Sequence, residues 1–151
     1  MFEYLFICRS NIGRSQMAEG FFNHLTQGNN STSAAGVEDV SDKYNHKPHP
    51  LITEVMKEKG IDISSQGVKF VDCDLIKNSL KIILLFDKAE CSKNLLQLIE
   101  KSNFSFISLA DPAMFLSLPT DDILVEFRRS RDEVEKLVKD IIQSSHSNFF
   151  K

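Results

Sequence analysis

Apolar residues along this chain fall into strand-like runs and helical stripes that alternate. Residues 3–8, EYLFIC, are a near-continuous apolar run and predict a short buried strand. Met17, Phe21, Phe22 and Leu25 then recur at helical spacing and Gly28 follows, which predicts a helix over 15–26. Small residues at 31–35, ending at Gly36, predict a second strand, and the polar stretch 37–49 reads as loop. Pro50 suits a first helical turn, and Leu51, Ile52, Val55 and Met56 form one face of a helix that ends at Gly60. Residues 61–70 read as irregular or extended and 72–78 as a short helix. The strongest strand signal is 80–86, LKIILLF. Asp87 and Glu90 have capping-box spacing ahead of a helix that carries Cys91, Leu95, Leu98 and Ile99 on one face. Residues 104–109 predict a fourth strand, followed by a loop with Asp111-Pro112 and Pro119. Thr120 caps a last helix with Asp121 and Asp122 in its first turn, where negative charge is favourable. Its stripe is Ile123, Phe127, Val134, Leu137, Val138 and Ile141.

Strands alternating with helices imply an α/β fold, a parallel sheet with helices on both faces. The 151 residues fit a single domain, assigned to 1–145, with 146–151 as a tail without fixed structure. Ligands in such folds bind outside the carboxyl ends of the strands. The loops after residue 8 and around Asp111 both follow strands, so both are expected on that edge.

Composition narrows the choices. No apolar run approaches the roughly 20 residues of a membrane span, and residues 2–7 lack a basic leader, so a cytoplasmic protein away from membranes is expected. The net charge of −3 comes without any sustained basic block, which argues against nucleic acid as partner. Three cysteines, Cys8, Cys73 and Cys91, make neither a disulfide framework nor zinc spacing, and no metal or cofactor is expected. His46 and His49, with Pro48 between them, read as solvated loop residues. Arg128, Arg129 and Arg131, interleaved with Asp132 and Glu133, read as a solvated charged face.

The chemistry concentrates in FICRSNIGRS, residues 6–15. A loop from Cys8 to Arg14 that opens a helix points backbone N–H groups and the positive end of the helix dipole at a bound oxyanion. Arg14 offers a planar fork to two of its oxygens. The same field favours the thiolate of Cys8, the nucleophilic form, and the Ser15 hydroxyl is placed to hydrogen-bond it. Arg9, Ser10, Asn11, Ile12 and Gly13 complete the substrate-binding loop. Asp111, from the later loop, is the candidate general acid and then base, and the reaction needs no metal because Arg14 and the loop amides stabilise the charge. A cysteine at a strand end is also commonly a small buried hydrophobe, so the reading rests on context: strand before, helix after, Asp-Pro after the last strand.

The stretch FICRSNIGRSQMAEGFF resembles the nucleophile loop and first helix of the low-molecular-weight protein tyrosine phosphatases and the related thioredoxin-coupled arsenate reductases. The resemblance continues through SAAG, HPLITEVMKEKGIDISSQ, KIILLF, the Asp111-Pro112 pair and FRRSRDEVEKLV, in the same order. It implies a four-stranded parallel sheet flanked by helices, with Cys8 as nucleophile, Arg14 as phosphate-binding arginine and Asn11 as the loop residue with strained backbone. It also implies Ser15 as support for the thiolate and Asp111 as general acid.

Three positions depart from the family pattern. Ser10 stands where glycine is usual, and its side chain is expected to narrow the loop or disturb its backbone. Gly13 stands where many phosphatases carry a second cysteine, so oxidised Cys8 needs another resolving thiol. The loop after Asp111-Pro112 reads AMF, without paired tyrosines. RSQMAEG and EVMKEKGIDIS lean toward the arsenate reductases, which need two further thiols after the third strand, with thioredoxin as partner. Phe86 stands at the first of those places and only Cys91 lies near the second, which favours a phosphatase. Ile12 is the residue type usual in the tyrosine-specific members, where arginine-phosphatase relatives tend to carry threonine. The expected function is therefore hydrolysis of phosphotyrosine-like phosphomonoesters, on a phosphorylated protein or a small phosphomonoester. Arsenate reduction, non-hydrolytic anion binding and a phosphocarrier role stay open as alternatives.

Overall fold

The computed structural model of the protein describes residues 1–28 and 32–148. A four-stranded parallel sheet runs in the order β2-β1-β3-β4, with β1 at Phe2–Cys8, β2 at Thr32–Gly36, β3 at Ser79–Leu84 and β4 at Phe104–Phe106. The helices are α1 (Arg14–Leu25), α2 (Pro50–Lys57), α3 (Cys73–Lys77), α4 (Lys93–Ile99) and α5 (Thr120–Asn148). Single 3₁₀ turns occupy Ser41–Tyr44, Lys88–Glu90 and Pro112–Phe115.

Alternation along the strands divides the core in two. Tyr4, Phe6, Cys8, Ala34 and Ile83 face a cluster closed by Met17, Phe21 and Phe22 of α1, Ile52, Val55 and Met56 of α2, and Phe127, Val134 and Val138 of α5. Leu5, Ile7, Ala35, Ile82 and Leu84 face the other way, under Ile76 of α3 and Leu95 and Ile99 of α4. β1 is central and covered on both faces, which is why its sequence reads as a continuous apolar run rather than an alternating one. Aromatic rings lock α1 onto it, with Phe22 5.2 Å from Tyr4 and 6.1 Å from Phe6 between ring centroids. Such pairs add about 0.5–1.5 kcal/mol beyond the buried area.

Several expectations need correcting. The Asp87–Glu90 capping box closes the 3₁₀ turn and not α4, whose N-cap is Ser92. Cys91 is therefore in the extended joint between the two, half-buried against the second cluster, and not on a helical stripe. Leu98 of α4 is exposed. β4 ends at Phe106, three residues short of 109, with Ile107 N–H making a further bond to the Leu84 carbonyl of β3 at 2.8 Å. α5 continues through Asn148, so residues 146–148 of the expected tail are helical, while Phe149, Phe150 and Lys151 lie outside the described residues, as does Ser31 at the start of the expected second strand.

Arg131 is the largest departure on α5. Its side chain is buried, donating to the Val55 carbonyl at 2.9 Å and to Glu58 at 2.8 Å. Arg128 makes a two-pronged pair with the same carboxylate, so Glu58 joins α2 to α5. These bonds hold the Glu58 carboxyl below the usual range, chiefly the one from Arg128, with Arg131 adding to it. The run of charge is not uniformly solvated.

Candidate active site

Residues 8–14 pass from the carboxyl end of the central strand into α1. Outside contacts set the shape of this loop. The Arg9 carbonyl accepts from Val37 N at 2.8 Å and Glu38 N at 2.7 Å, and the Ile12 carbonyl accepts from His49 N at 2.9 Å. In a trans peptide the C=O and the following N–H point in opposite directions, so Ser10 N–H and Gly13 N–H face away from those neighbours. The left-handed residue is Asn11, with φ 53°. Ser10 is not in that region, so its side chain requires no left-handed backbone. Glycine is required instead at Gly36, where a β-carbon would lie 2.6 Å from the Ser10 carbonyl carbon.

Behind the loop, Cys8, Asn11 and Ser15 form a buried chain. Asn11 Nδ2 donates to Ser15 Oγ at 2.7 Å, and Ser15 Oγ lies 3.0 Å from Cys8 Sγ. With Oγ accepting from the amide, its own proton is free to point at sulfur, an arrangement that supports a thiolate. Arg14 is also buried. Its Nη1 donates to the Leu85 carbonyl at 2.9 Å and the Leu109 carbonyl at 3.0 Å, which fixes the guanidinium between the ends of β3 and β4. Its Nη2 lies 3.3 Å from Asp111 Oδ2. Asp111 Oδ1 accepts from Ala113 N at 3.0 Å, capping the turn that Pro112 opens, so backbone geometry aims this carboxylate at Arg14.

These groups border a cavity of about 220 Å³. Cys8, Arg9, Ser10, Ile12, Gly13, Arg14 and Asp111 all line it, while Asn11 and Ser15 lie behind its floor. The Arg9 side chain is exposed and paired with Glu38 at 3.3 Å. The remaining walls are mainly apolar and aromatic, including Tyr44, His49, Ile52, Leu116 and Phe127, with Lys43 beside them. Tyr44 and His49 were not legible as site residues, since the loop 37–49 carries no periodic signal and its path is set by tertiary contacts.

His49 corrects the expectation of a solvated histidine. It is the N-cap of α2, with Nδ1 accepting from Leu51 N at 3.1 Å. Its ring lies 4.9 Å from that of Tyr44 and 5.6 Å from that of Phe127. Burial, and secondarily the nearby Lys43, push its pKa below the ordinary histidine value, so the neutral ring is favoured. His46 remains at the surface, bonded to Ser41 and Asp42. Cys73 and Cys91 do not line the cavity, and Cys91 packs on the opposite face of the sheet from Cys8.

The arrangement joins a buried thiol supported by a hydroxyl, a fixed guanidinium and a half-exposed carboxylate around one opening. That combination suits attack by sulfur on a tetrahedral oxyanion.

The comparisons agree with this geometry. Over residues 3–148 the chain matches the model of the family described as low molecular weight phosphotyrosine protein phosphatase. It is 34% identical over 131 residues to an arsenate reductase of Staphylococcus aureus, covering 86% of this chain and 88% of the relative. A solved arsenate reductase in the phosphate-binding state superposes with a TM-score of 0.72 at 26% identity, covering 95% of this chain and 98% of the other. A tyrosine phosphatase of Erwinia amylovora superposes with a TM-score of 0.72 at 15% identity, covering 94% and 91%, a likeness of fold. On the match to the family model and the identity to its arsenate-reductase relatives, the chain is an enzyme of the low-molecular-weight phosphotyrosine protein phosphatase family.

Proposed function

We propose that the protein hydrolyses aryl phosphomonoesters of the phosphotyrosine type through a phosphocysteine on Cys8. The observation that carries this reading is the meeting of the Cys8–Ser15 contact with the Arg14–Asp111 pair at the floor of an apolar, aromatic-walled cavity. The phosphoryl oxygens take the place of the Asp111 carboxylate at the Arg14 fork and are held there with the loop amides. Cys8 Sγ attacks phosphorus, a P–S bond forms, the P–O bond to the leaving group breaks, and Asp111 gives that oxygen a proton. Asp111 then takes a proton from water as the water attacks phosphorus, the P–S bond breaks, and phosphate leaves with the thiolate restored. Tyr44 and the neighbouring apolar walls suit a flat aryl leaving group, carried by a phosphorylated protein or a small phosphomonoester.

Arsenate reduction is the second reading, and the 34% identity to an arsenate reductase favours it. That reaction removes two electrons from thiols, so Cys8 needs a resolving thiol within reach and a partner such as thioredoxin to reduce the resulting disulfide. Cys91 is a poor candidate: it does not line the cavity beside Cys8, it packs against the second core cluster, and burial pushes its thiol up, away from the thiolate form. Cys73 is exposed at the start of α3 and does not line the cavity. These placements support hydrolysis.

The discriminating experiment measures p-nitrophenyl phosphate hydrolysis and thioredoxin-coupled arsenate reduction on the same preparation. Hydrolysis that disappears in Cys8→Ser, with no arsenate-dependent thioredoxin oxidation, is the expected result. Arsenate turnover that depends on Cys91 or Cys73 refutes the reading in favour of the reductase. Phosphate binding without turnover of either substrate refutes it in favour of an anion-binding or carrier role.

A further inference from the structure

The geometry points to Gln16, clamped by Gln66, as a positioning residue that holds Asn11 in its left-handed conformation and so aims the Ser15 hydroxyl at Cys8. Neither glutamine touches the cavity. Gln16 is fully buried on the first turn of α1. Its Nε2 donates to the Asn11 carbonyl at 2.9 Å, to Asn11 Oδ1 at 3.0 Å and to the Gly67 carbonyl at 3.1 Å. Two of those acceptors are backbone carbonyls, which only accept, so the amide can face them only through its nitrogen. Its Oε1 must then face the other way, where Gln66 Nε2 donates to it at 2.6 Å and to the Gln16 carbonyl at 3.1 Å.

Polarity passes from there to the thiol. Asn11 Oδ1 is taken by Gln16 and by Lys69 N, the latter at 2.8 Å, which leaves Nδ2 as the group facing Ser15 Oγ. Ser15 Oγ accepts there, which leaves its own proton free to point at Cys8 Sγ, 3.0 Å away. Each amide contact in this series has one sense that satisfies its members, and no buried side-chain nitrogen or oxygen among the described residues is without a partner. A left-handed backbone at a residue other than glycine is sparsely populated and persists only where its surroundings over-determine it. Gln16 supplies that constraint from inside α1, and Gln66 supplies it from the irregular segment after α2. With the Gln16 amide removed, the Lys69 N–H still selects the oxygen of the Asn11 amide, but the bond to the Asn11 carbonyl and the second bond on Oδ1 are lost, so the left-handed residue and its contact with Ser15 are held less tightly.

The test reads Cys8 directly, so it holds whichever reaction the site performs. Iodoacetamide alkylation of Cys8 is followed by peptide mass spectrometry from about pH 5 to about pH 9, with exposed Cys73 as internal reference. The variants are Gln16→Met, Gln66→Met and Gln66→His, all checked for folding by circular dichroism. The expected result at about pH 6 is a roughly tenfold slowing of Cys8 in Gln16→Met and a roughly threefold slowing in Gln66→Met, with each rate–pH profile moved to higher pH. Gln66→His, which keeps a donor, stays within about twofold of wild type. Should Gln16→Met fail to fold, the two Gln66 variants decide. Folded variants whose Cys8 profiles coincide with wild type overturn the inference, and so does equal slowing in Gln66→Met and Gln66→His.

Discussion

Replacing Gly36 by alanine tests how closely the reacting loop is held. The new methyl would lie 2.6 Å from the Ser10 carbonyl carbon, 2.8 Å from Asn11 N and 3.0 Å from Ser10 Cα. All three are backbone atoms, so no flexible side chain can swing away. Ordinary contact begins near 3.4 Å, and the shortest of these distances requires a separation larger by roughly 0.8 Å (3.4 − 2.6). Gly36 cannot retreat easily. Its N–H donates to the Lys69 carbonyl at 2.8 Å, its carbonyl accepts from Val71 N at 2.9 Å, and it pairs with Cys8 at the end of β2. The displacement therefore falls on Ser10 and Asn11, and through Asn11 on Ser15 and Cys8. Overpacking of this kind costs about 1–3 kcal/mol of stability. A shift approaching 1 Å at a reacting centre costs on the order of a hundredfold in rate, so a loss of about 10- to 100-fold in kcat is expected. Urea unfolding and p-nitrophenyl phosphate turnover read the two effects separately. Gly67→Ala is the control, because its β-carbon would meet nothing within 4 Å and turnover should not change. A folded Gly36→Ala protein within about 0.5 kcal/mol and twofold of wild type would refute the reasoning.

Two further predictions concern residues whose placement the sequence concealed. Arg131→Met leaves the Val55 carbonyl without its side-chain donor while Glu58 keeps Arg128. A loss of about 1–3 kcal/mol in urea unfolding is expected, with kcat nearly unchanged; an unchanged unfolding midpoint would contradict it. His49→Asn keeps a capping side chain on α2 and removes a titrating ring. Because the folded-state pKa of His49 lies below the ordinary 6.5, the unfolded chain binds the extra proton first, and stability from this group is complete above that value and lost as pH falls below it. Unfolding free energies at about pH 7.5 and about pH 5.5 should therefore differ less in His49→Asn than in wild type, and an equal or larger difference would be the contrary result.

Where a pattern is repeated and local, the chain announces its structure. β1, α1 and the loop between them follow from an apolar run, a helical stripe and the residues joining them, and the Asp111-Pro112 turn from its own capping chemistry. Elements that depend on distant partners are not legible in this way. The Asp87–Glu90 spacing satisfies a capping box in a single 3₁₀ turn as well as in a helix, so the box could not place Cys91. His49 and Tyr44 sit in a polar stretch whose course over the cavity depends on the Ile12 carbonyl and the Phe127 ring. Arg131 looks like its neighbours on α5, and only the position of α2 tells them apart. Gln16 carries a weak signal, a polar residue beside Met17 at a helix start, and Gln66 carries none, because both act through Asn11, whose left-handed backbone no spacing reveals.

Trapping the covalent intermediate tests the central claim most directly. p-Nitrophenol is a good leaving group and needs little help from an acid, so Asp111→Asn should impair mainly the water step, in which the carboxylate acts as base. Acid-quenched mixtures of Asp111→Asn with p-nitrophenyl phosphate, examined by peptide mass spectrometry, should then show a phosphoryl group on the Cys8 peptide that accumulates above its level in wild type and is absent in Cys8→Ala. Release of p-nitrophenol with no phosphorylated Cys8, or release that persists in Cys8→Ala, would contradict the account.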